Sequence, residues 1–389
     1  MTKSKICKKI ITSIRTVVGK NKNMIGLHEP NISDLEKKFV NKSIDLSHIS
    51  SMGKFVKQFE TKLKSITKSK KVIAVISGTA ALHLAMRAIN LKANEEVLIP
   101  ALNYISSANS VIYCGGIPHF VDIEKNSLGI DSEKLRNYLN KICIFRNGKT
   151  LNKKTKRIIK AIIPMYTFGH PSKIDEIIKI AKDYNLELIE DAAEALGSLY
   201  RGKHVGTFGK IGILSFNGNK IVSTGGGGAL LIQDAKIAKQ IKHMSNHCKI
   251  LHKWKFDYSG LGYNYNLPNL NAALGCAQLK RFYKFLKQKR ELLIKYQHAF
   301  KNIYEVFMLT EPQNCRSNYW LQTLILKYPN INLRNDILNY SIKKKISTRP
   351  AWTLMHHINY LKRFPKMNLK NSEEMVERII NLPSSSQLV

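Results

Sequence analysis

From about residue 70 onward, short apolar runs rich in Val and Ile alternate with stretches whose apolar residues recur every three to four positions. Val72–Ile76, Glu96–Ile99, Ile117–Ile123, Ile158–Pro164 and Glu187–Ile189 read as strands, and Ala80–Asn90, Ile105–Tyr113, Ser132–Asn140 and Lys173–Tyr184 as helices between them. A strand that is apolar at nearly every position is buried on both faces, so the alternation predicts a mainly parallel sheet covered by helices on both sides. Ile211–Phe216 and Ala229–Ile232 lie too close together for a crossover helix and are expected as strands joined by a functional loop. Asn269–Phe300 is one long helical pattern, straight or kinked, that leads from Tyr304 into a smaller α+β part. That part has an apolar run at Trp320–Leu326 and helical patterns at Leu333–Lys344 and Ser372–Ile380, while the polar, basic Ile142–Lys156 is expected as an exposed loop. At the N-terminus, lysines alternate with Ile6, Ile10, Ile11, Ile14 and Val17, an amphipathic helix expected on the protein body or on a partner subunit.

Composition changes this picture little. The chain has 389 residues, 44% hydrophobic and 23% charged, which excludes a disordered or fibrous chain. Its formal net charge is +36, but the lysines are spread over the whole length, so no nucleic-acid surface is expected. The milder consequence is attraction of anionic substrates. The six cysteines form no C-x-x-C pair, so neither a metal site nor a disulfide framework is expected, and scattered thiols suit the cytoplasm. No apolar stretch is long enough for a membrane span.

Ligands of an open parallel sheet bind beyond the carboxyl ends of its strands. Three segments there bear chemistry. Ser77-Gly78-Thr79 opens a helix, whose free N–H groups and dipole suit a phosphate; an ordinary turn with a helix cap has the same look. Asp191 ends an apolar strand, where a carboxylate needs a cationic partner, such as a protonated ring nitrogen, or caps a helix. Lys220 follows Ser215-Phe216-Asn217-Gly218-Asn219 and precedes four glycines at 225–228. A desolvated lysine keeps a neutral fraction that can form a Schiff base; alone it would be one more surface lysine. Together, an anion cradle, an acid and an amine fit a phosphorylated aldehyde on a pyridine ring, which is pyridoxal phosphate.

These segments resemble those of the fold-type I aminotransferases, and more narrowly the DegT/DnrJ/EryC1/StrS family of nucleotide-sugar aminotransferases. The likeness includes LHEP (27–30), SSMGKFV (50–56), SGTAALHLAM (77–86), EDAAEALGS (190–198), SFNGNK with GGGG (215–228), GYNYNLPNLNAALG (262–275), TRPAWTLMH (348–356) and NLPSS (381–385). The resemblance implies an α/β fold: an N-terminal extension (1–23), a large cofactor domain with a mainly parallel sheet flanked by helices (24–265), and a linking helix with a smaller C-terminal α+β domain (266–389). It implies that Lys220 bonds to pyridoxal phosphate, that Asp191 pairs with its ring nitrogen, and that Gly78, Thr79 and Ser215 bind its phosphate. Tyr104 would stack on the ring and Glu194 would touch its face or its 3-oxygen. Asn264 would reach the phosphate of a neighbouring subunit, making a homodimer with composite sites. Arg349 and Asn217 are implied as substrate contacts. The NGNK and TRPAWTLMH versions are most similar to the branch, on routes to legionaminic acid and bacillosamine, that moves the amino group of glutamate to C4 of a UDP-linked 4-keto-6-deoxy-N-acetylhexosamine. Amination at C3, a dTDP- or GDP-linked sugar, and a non-enzymatic cofactor-binding regulator are the alternatives. Asn266 stands where many relatives have Arg, and Asp45-Leu46-Ser47-His48 lacks a Gly-Trp common in the family.

Overall fold

The computed structural model describes residues 3–19, 23–51 and 53–389. Met52 of the 50–56 motif and positions 1–2 and 20–22 of the N-terminal extension lie outside the described residues.

Seven strands form the main sheet: β1 (Lys71–Val75), β2 (Glu96–Pro100), β3 (Ile117–Val121), β4 (Ile159–Ile162), β5 (Glu187–Asp191), β6 (Ile211–Ser215) and β7 (Gly228–Ile232). Their spatial order is β1-β7-β6-β5-β4-β2-β3. β6, β5, β4, β2 and β3 run parallel, each neighbour reached through a helical or longer crossover. β7 is antiparallel to both its neighbours, because the 216–227 connection is too short to return the chain to the starting edge. The carboxyl ends of β1, β5 and β6 and the start of β7 therefore meet at one edge. β2 and β7 are buried at every position, which explains why both read as apolar runs apart from Glu96 at the start of β2.

A second, antiparallel sheet joins β8 (Val306–Met308), β9 (Gln322–Leu326) and β10 (Ile379–Leu382). Helix Asn269–Phe300 is unbroken over 32 residues and spans from the main sheet to this smaller one. The N-terminal helix, Lys3–Val18, packs on the body: Ile10 and Ile14 are fully buried against Leu292, Tyr296, Ile337 and Ile380. Each such isoleucine contributes about 1.5–3 kcal/mol of burial. All six cysteines are free thiols, and no helix among the described residues is long and apolar enough to cross a membrane.

Two expectations need correction. Ser372–Ile380 is not one helix: the helix is Lys370–Val376, and Ile379 begins β10. Val376, Ile379 and Ile380 fall at helical spacing, yet the last two are β-branched residues that pair with β9. Ile142–Lys156 is not a plain exposed loop but an antiparallel hairpin, Cys143–Arg146 with Lys149–Asn152. Its far end is anchored in the core, where Asn152 and Thr155 donate to the buried Glu96, which also meets His119 Nδ1 at 2.8 Å.

Candidate active site

The edge where β1, β5, β6 and β7 meet opens into a cavity of about 300 Å³, within the range of small-ligand sites. Its floor is the N-terminus of helix Gly78–Ala88. Ser77 caps that helix, its Oγ accepting from the Ala80 N–H at 3.0 Å. The N–H groups of Gly78 and Thr79 precede Ala81, the first N–H with a helical acceptor (the Ser77 carbonyl at 3.0 Å), and so point to the space beyond the helix end, where an anion can sit. Thr79 Oγ1 lies 2.8 Å from Ser106 Oγ, and a Cβ on Gly78 would come within 3.1 Å of Ser215 Cβ, so three hydroxyl side chains crowd one point.

Gly228 sets how closely β7 approaches this cradle. A Cβ there would fall 2.5 Å from the carbonyl carbon and oxygen of Ser77 and 2.7 Å from Gly78 N, all backbone atoms. Gly228→Ala is expected to push the cradle outward, weakening phosphate-dependent cofactor binding by tenfold or more. It should also cost about 1–3 kcal/mol of stability; cofactor titration and chemical denaturation check both numbers.

Asp191 ends β5 and is 3% exposed. Its carboxylate accepts from Ser107 Oγ at 2.8 Å and from the Ala193 N–H at 3.2 Å. Burial raises its pKa, opposed by those two hydrogen bonds and by the charge of Lys220. A carboxylate so placed favours a cationic ligand atom.

Lys220 projects from the loop after β6 and is 13% exposed at its side chain. Its Nζ donates to Glu194 Oε1 at 3.1 Å and lies 3.7 Å from the centroid of the Trp320 ring. Glu194 also accepts from the Phe168 N–H at 2.9 Å. Phe168 holds a left-handed φ of 55°, strained for a residue with a Cβ, and that backbone presents the N–H to the carboxylate.

Burial pushes the Glu194 carboxyl up to about 7 against the pull of Lys220. A raised native pKa favours the protonated form, so this group's stabilisation is complete below the ordinary carboxyl range and is lost as pH climbs through about 7. Glu194→Gln is expected to remove that loss. Between pH 4 and pH 8 the cofactor-free wild type should lose about 3 kcal/mol relative to the variant, measured by denaturation at a series of pH values; parallel curves would contradict it.

Gly78, Thr79, Tyr104, Asp191, Glu194, Ser215, Asn217 and Lys220 all line this one cavity. Asn264 and Arg349 do not: both are exposed, Asn264 bridged to Asn246 and Arg349 exchanging backbone hydrogen bonds with Asn381. Asn266, in the place of the family's frequent Arg, is bound by Ser245 Oγ and Asn246 Oδ1. The residues sequence reasoning missed are Trp320 and Trp352, which form the wall facing Lys220 and Tyr104. They are two of only three tryptophans in the chain, and that rarity was the available signal.

Pyridoxal phosphate fits these residues. The cradle supplies free N–H groups and hydroxyls for a phosphate, and Asp191 is buried with hydrogen bonds but, among the described residues, no cationic side chain in contact. The Lys220 amine opens onto the space between them.

Residues 30–389 match the DegT/DnrJ/EryC1/StrS aminotransferase family. A GDP-perosamine synthase from Escherichia coli O157:H7 is 32% identical over 365 residues, 94% of each chain. Two solved structures share the fold. Helicobacter pylori PseC, an aminotransferase involved in pseudoaminic acid biosynthesis, superimposes with a TM-score of 0.85 at 22% identity over 94% of this chain and 95% of its own. The putative sugar aminotransferase Spr1654 from Streptococcus pneumoniae, in its PLP form, gives 0.82 at 22% identity over 93% of both chains.

Proposed function

The chain belongs to the DegT/DnrJ/EryC1/StrS aminotransferase family and is a pyridoxal-phosphate-dependent aminotransferase of nucleotide-linked sugars; from that premise we propose that it moves the amino group of glutamate to C4 of a UDP-linked 4-keto-6-deoxy-N-acetylhexosamine. The observation that supports the chemistry best is the convergence of the Lys220 amine, the Asp191 carboxylate and the Ser77–Thr79 cradle on one cavity. The choice of sugar rests on the NGNK and TRPAWTLMH motifs.

Pyridoxal phosphate, when bound, supplies an electron sink that makes the α-proton of an amino acid removable. The chain's own residues do the rest. Gly78, Thr79 and Ser215 would hold its phosphate, Asp191 would keep its ring nitrogen protonated, and Tyr104 would lie against it. Lys220 would hold the cofactor when no substrate is bound, and its freed amine would take up and return a proton. Glu194 sets the charge beside that amine, and Asn217, which lines the cavity, would meet the substrates; Arg349, outside the cavity, keeps no role in this reading.

A homodimer with composite sites belongs to the same reading. Beside Asn264 the chain presents Leu251 (90% exposed), Trp254, Phe256 and Leu261 to solvent, an apolar patch of the kind that a second copy covers. There Asn264 would reach the partner's phosphate.

A second reading has a specific observation behind it: the curated relative named above is a synthase of a GDP-linked product. One experiment separates the two. The purified enzyme is given glutamate and a panel of UDP-, GDP- and dTDP-linked 4-keto-6-deoxy and 3-keto sugars, with products identified by mass and NMR. Amination of the UDP-linked 4-keto sugar is expected. Turnover of the GDP-linked sugar alone establishes the second reading, and a C3 amine or no product from any 4-keto sugar overturns both.

A further inference from the structure

Trp320 stands just before β9, far in sequence from the loop of Lys220, yet its ring covers the Lys220 amine at 3.7 Å. The indole is fixed from several sides. Its Nε1 donates to the Asn219 carbonyl at 2.7 Å, within the loop of Lys220 itself. Its backbone N–H donates to Asn318 Oδ1 at 2.9 Å, and the Asn318 amide donates in turn to the Glu194 carbonyl at 2.9 Å. One asparagine therefore ties the ring to the turn that bears Glu194. Behind the ring, fully buried Lys289 donates to the Trp320 carbonyl at 2.7 Å and also to the Ser384 carbonyl. Ring and carboxylate form a preset box of two walls around the amine.

The box is built for a cation. An ammonium over an indole face is attracted by the ring quadrupole, most strongly where water is scarce, and Lys220 is 13% exposed at its side chain. The carboxylate on the other side titrates near neutral pH, whereas the attraction of the ring does not titrate at all.

We propose that Trp320 is a catalytic residue: its indole face receives the Lys220 amine whenever that amine is free of the cofactor, and holds it as an ammonium between proton pick-up and delivery. This rests on the reading of Lys220 given above. In the step concerned, the C–H bond at the α-carbon of the amino donor breaks and its electron pair stays with the substrate. The proton forms a new N–H bond on Lys220, and the same proton later leaves the ammonium to form a new C–H bond at the carbon that receives it in transamination, so none is consumed overall. The titratable groups that face the amine are Glu194 at 3.1 Å, Asp191 at the end of β5, and His28, on which the charges of Lys289 and Lys220 both act.

The test compares wild type, Trp320→Phe and Trp320→Leu as full-length protein. In the cofactor-stripped enzyme, acetylation of Lys220 by limiting acetic anhydride is followed by peptide mass spectrometry as a function of pH, which reports the pKa of that amine directly. Loss of the ring in Trp320→Leu is expected to lower the midpoint by about one pH unit, with Trp320→Phe falling by roughly a third to a half of that. The acid limb of the kcat–pH profile of the holoenzyme should move the same way. A ring that served only as packing would, when removed, admit water and raise the midpoint, since desolvation depresses an amine's pKa. An unchanged or raised midpoint in Trp320→Leu overturns the proposal. If that variant does not fold, an unchanged or raised midpoint in Trp320→Phe overturns it. Lys220→Ala keeps the two readings apart: turnover in that variant sinks the role of Lys220 itself, whereas a dead Lys220→Ala with an unmoved Trp320→Leu midpoint sinks only the role of the indole.

Discussion

Lys220→Ala loses at least ~10⁴-fold in turnover, the upper range for removing a positioned proton-transfer group, and also loses the covalent hold on the cofactor. The protein should still fold. Lys220 sits in a loop, and among the described residues its amine meets the Glu194 carboxylate and the face of Trp320 while no backbone group depends on it. Removing it leaves Glu194 buried without its cation, and that carboxyl can take up a proton in response. The variant is therefore expected to bind pyridoxal phosphate through the cradle alone, more weakly and with the absorbance of free aldehyde. Spectra recorded beside turnover numbers check both halves: a variant that keeps the wild-type spectrum, or more than a hundredth of its rate, contradicts the assignment.

Asp191→Asn gives the second large effect, a fall of roughly 10²–10³-fold in kcat, the size associated with removing one preorganised electrostatic partner. An amide reproduces the geometry, because its oxygen can still accept from the Ala193 N–H and its nitrogen can donate to Ser107 Oγ. It cannot keep a ring nitrogen protonated. The cofactor-free variant should be at least as stable as wild type at pH 7, since burial already raises the pKa of this carboxyl and so penalises the ionised form there. Lower activity without lower stability is the signature of a residue placed for chemistry. A variant that loses both in proportion would mark Asp191 as structural.

The same two residues show how far sequence alone reaches. Asp191 and Lys220 were legible because one ends an apolar strand and the other follows shortly after one, and the carboxyl edge of a parallel sheet is where ligands go. The cradle was legible for the same reason, as glycine and hydroxyl residues at a helix start. The antiparallel β7 could be foreseen as a break in the pattern, from a connection too short for a crossover. Trp320 and Trp352 were not legible as site residues. They enter from the far part of the chain, and their place opposite Lys220 depends on how the smaller sheet docks, which no local pattern records. The strained Phe168 was hidden likewise: its φ of 55° is imposed by the turn between β4 and β5 and by the bond to Glu194, not by a glycine that would announce it. Ile379 and Ile380 misled because two adjacent β-branched residues satisfy a helical spacing and a strand pairing equally well. The net charge of +36 told least. It describes the lysine-rich surface and the pull on anionic sugar nucleotides rather than any one residue of the site.

The most direct measurement is to treat the holoenzyme with borohydride, which fixes a lysine–cofactor bond irreversibly, and then to sequence the tagged peptide by mass spectrometry. One cofactor mass per chain on Lys220, absent from Lys220→Ala, is the expected result. A tag on any of the other lysines, or none at all in enzyme that turns over, would contradict the assignment of this cavity as the reacting site.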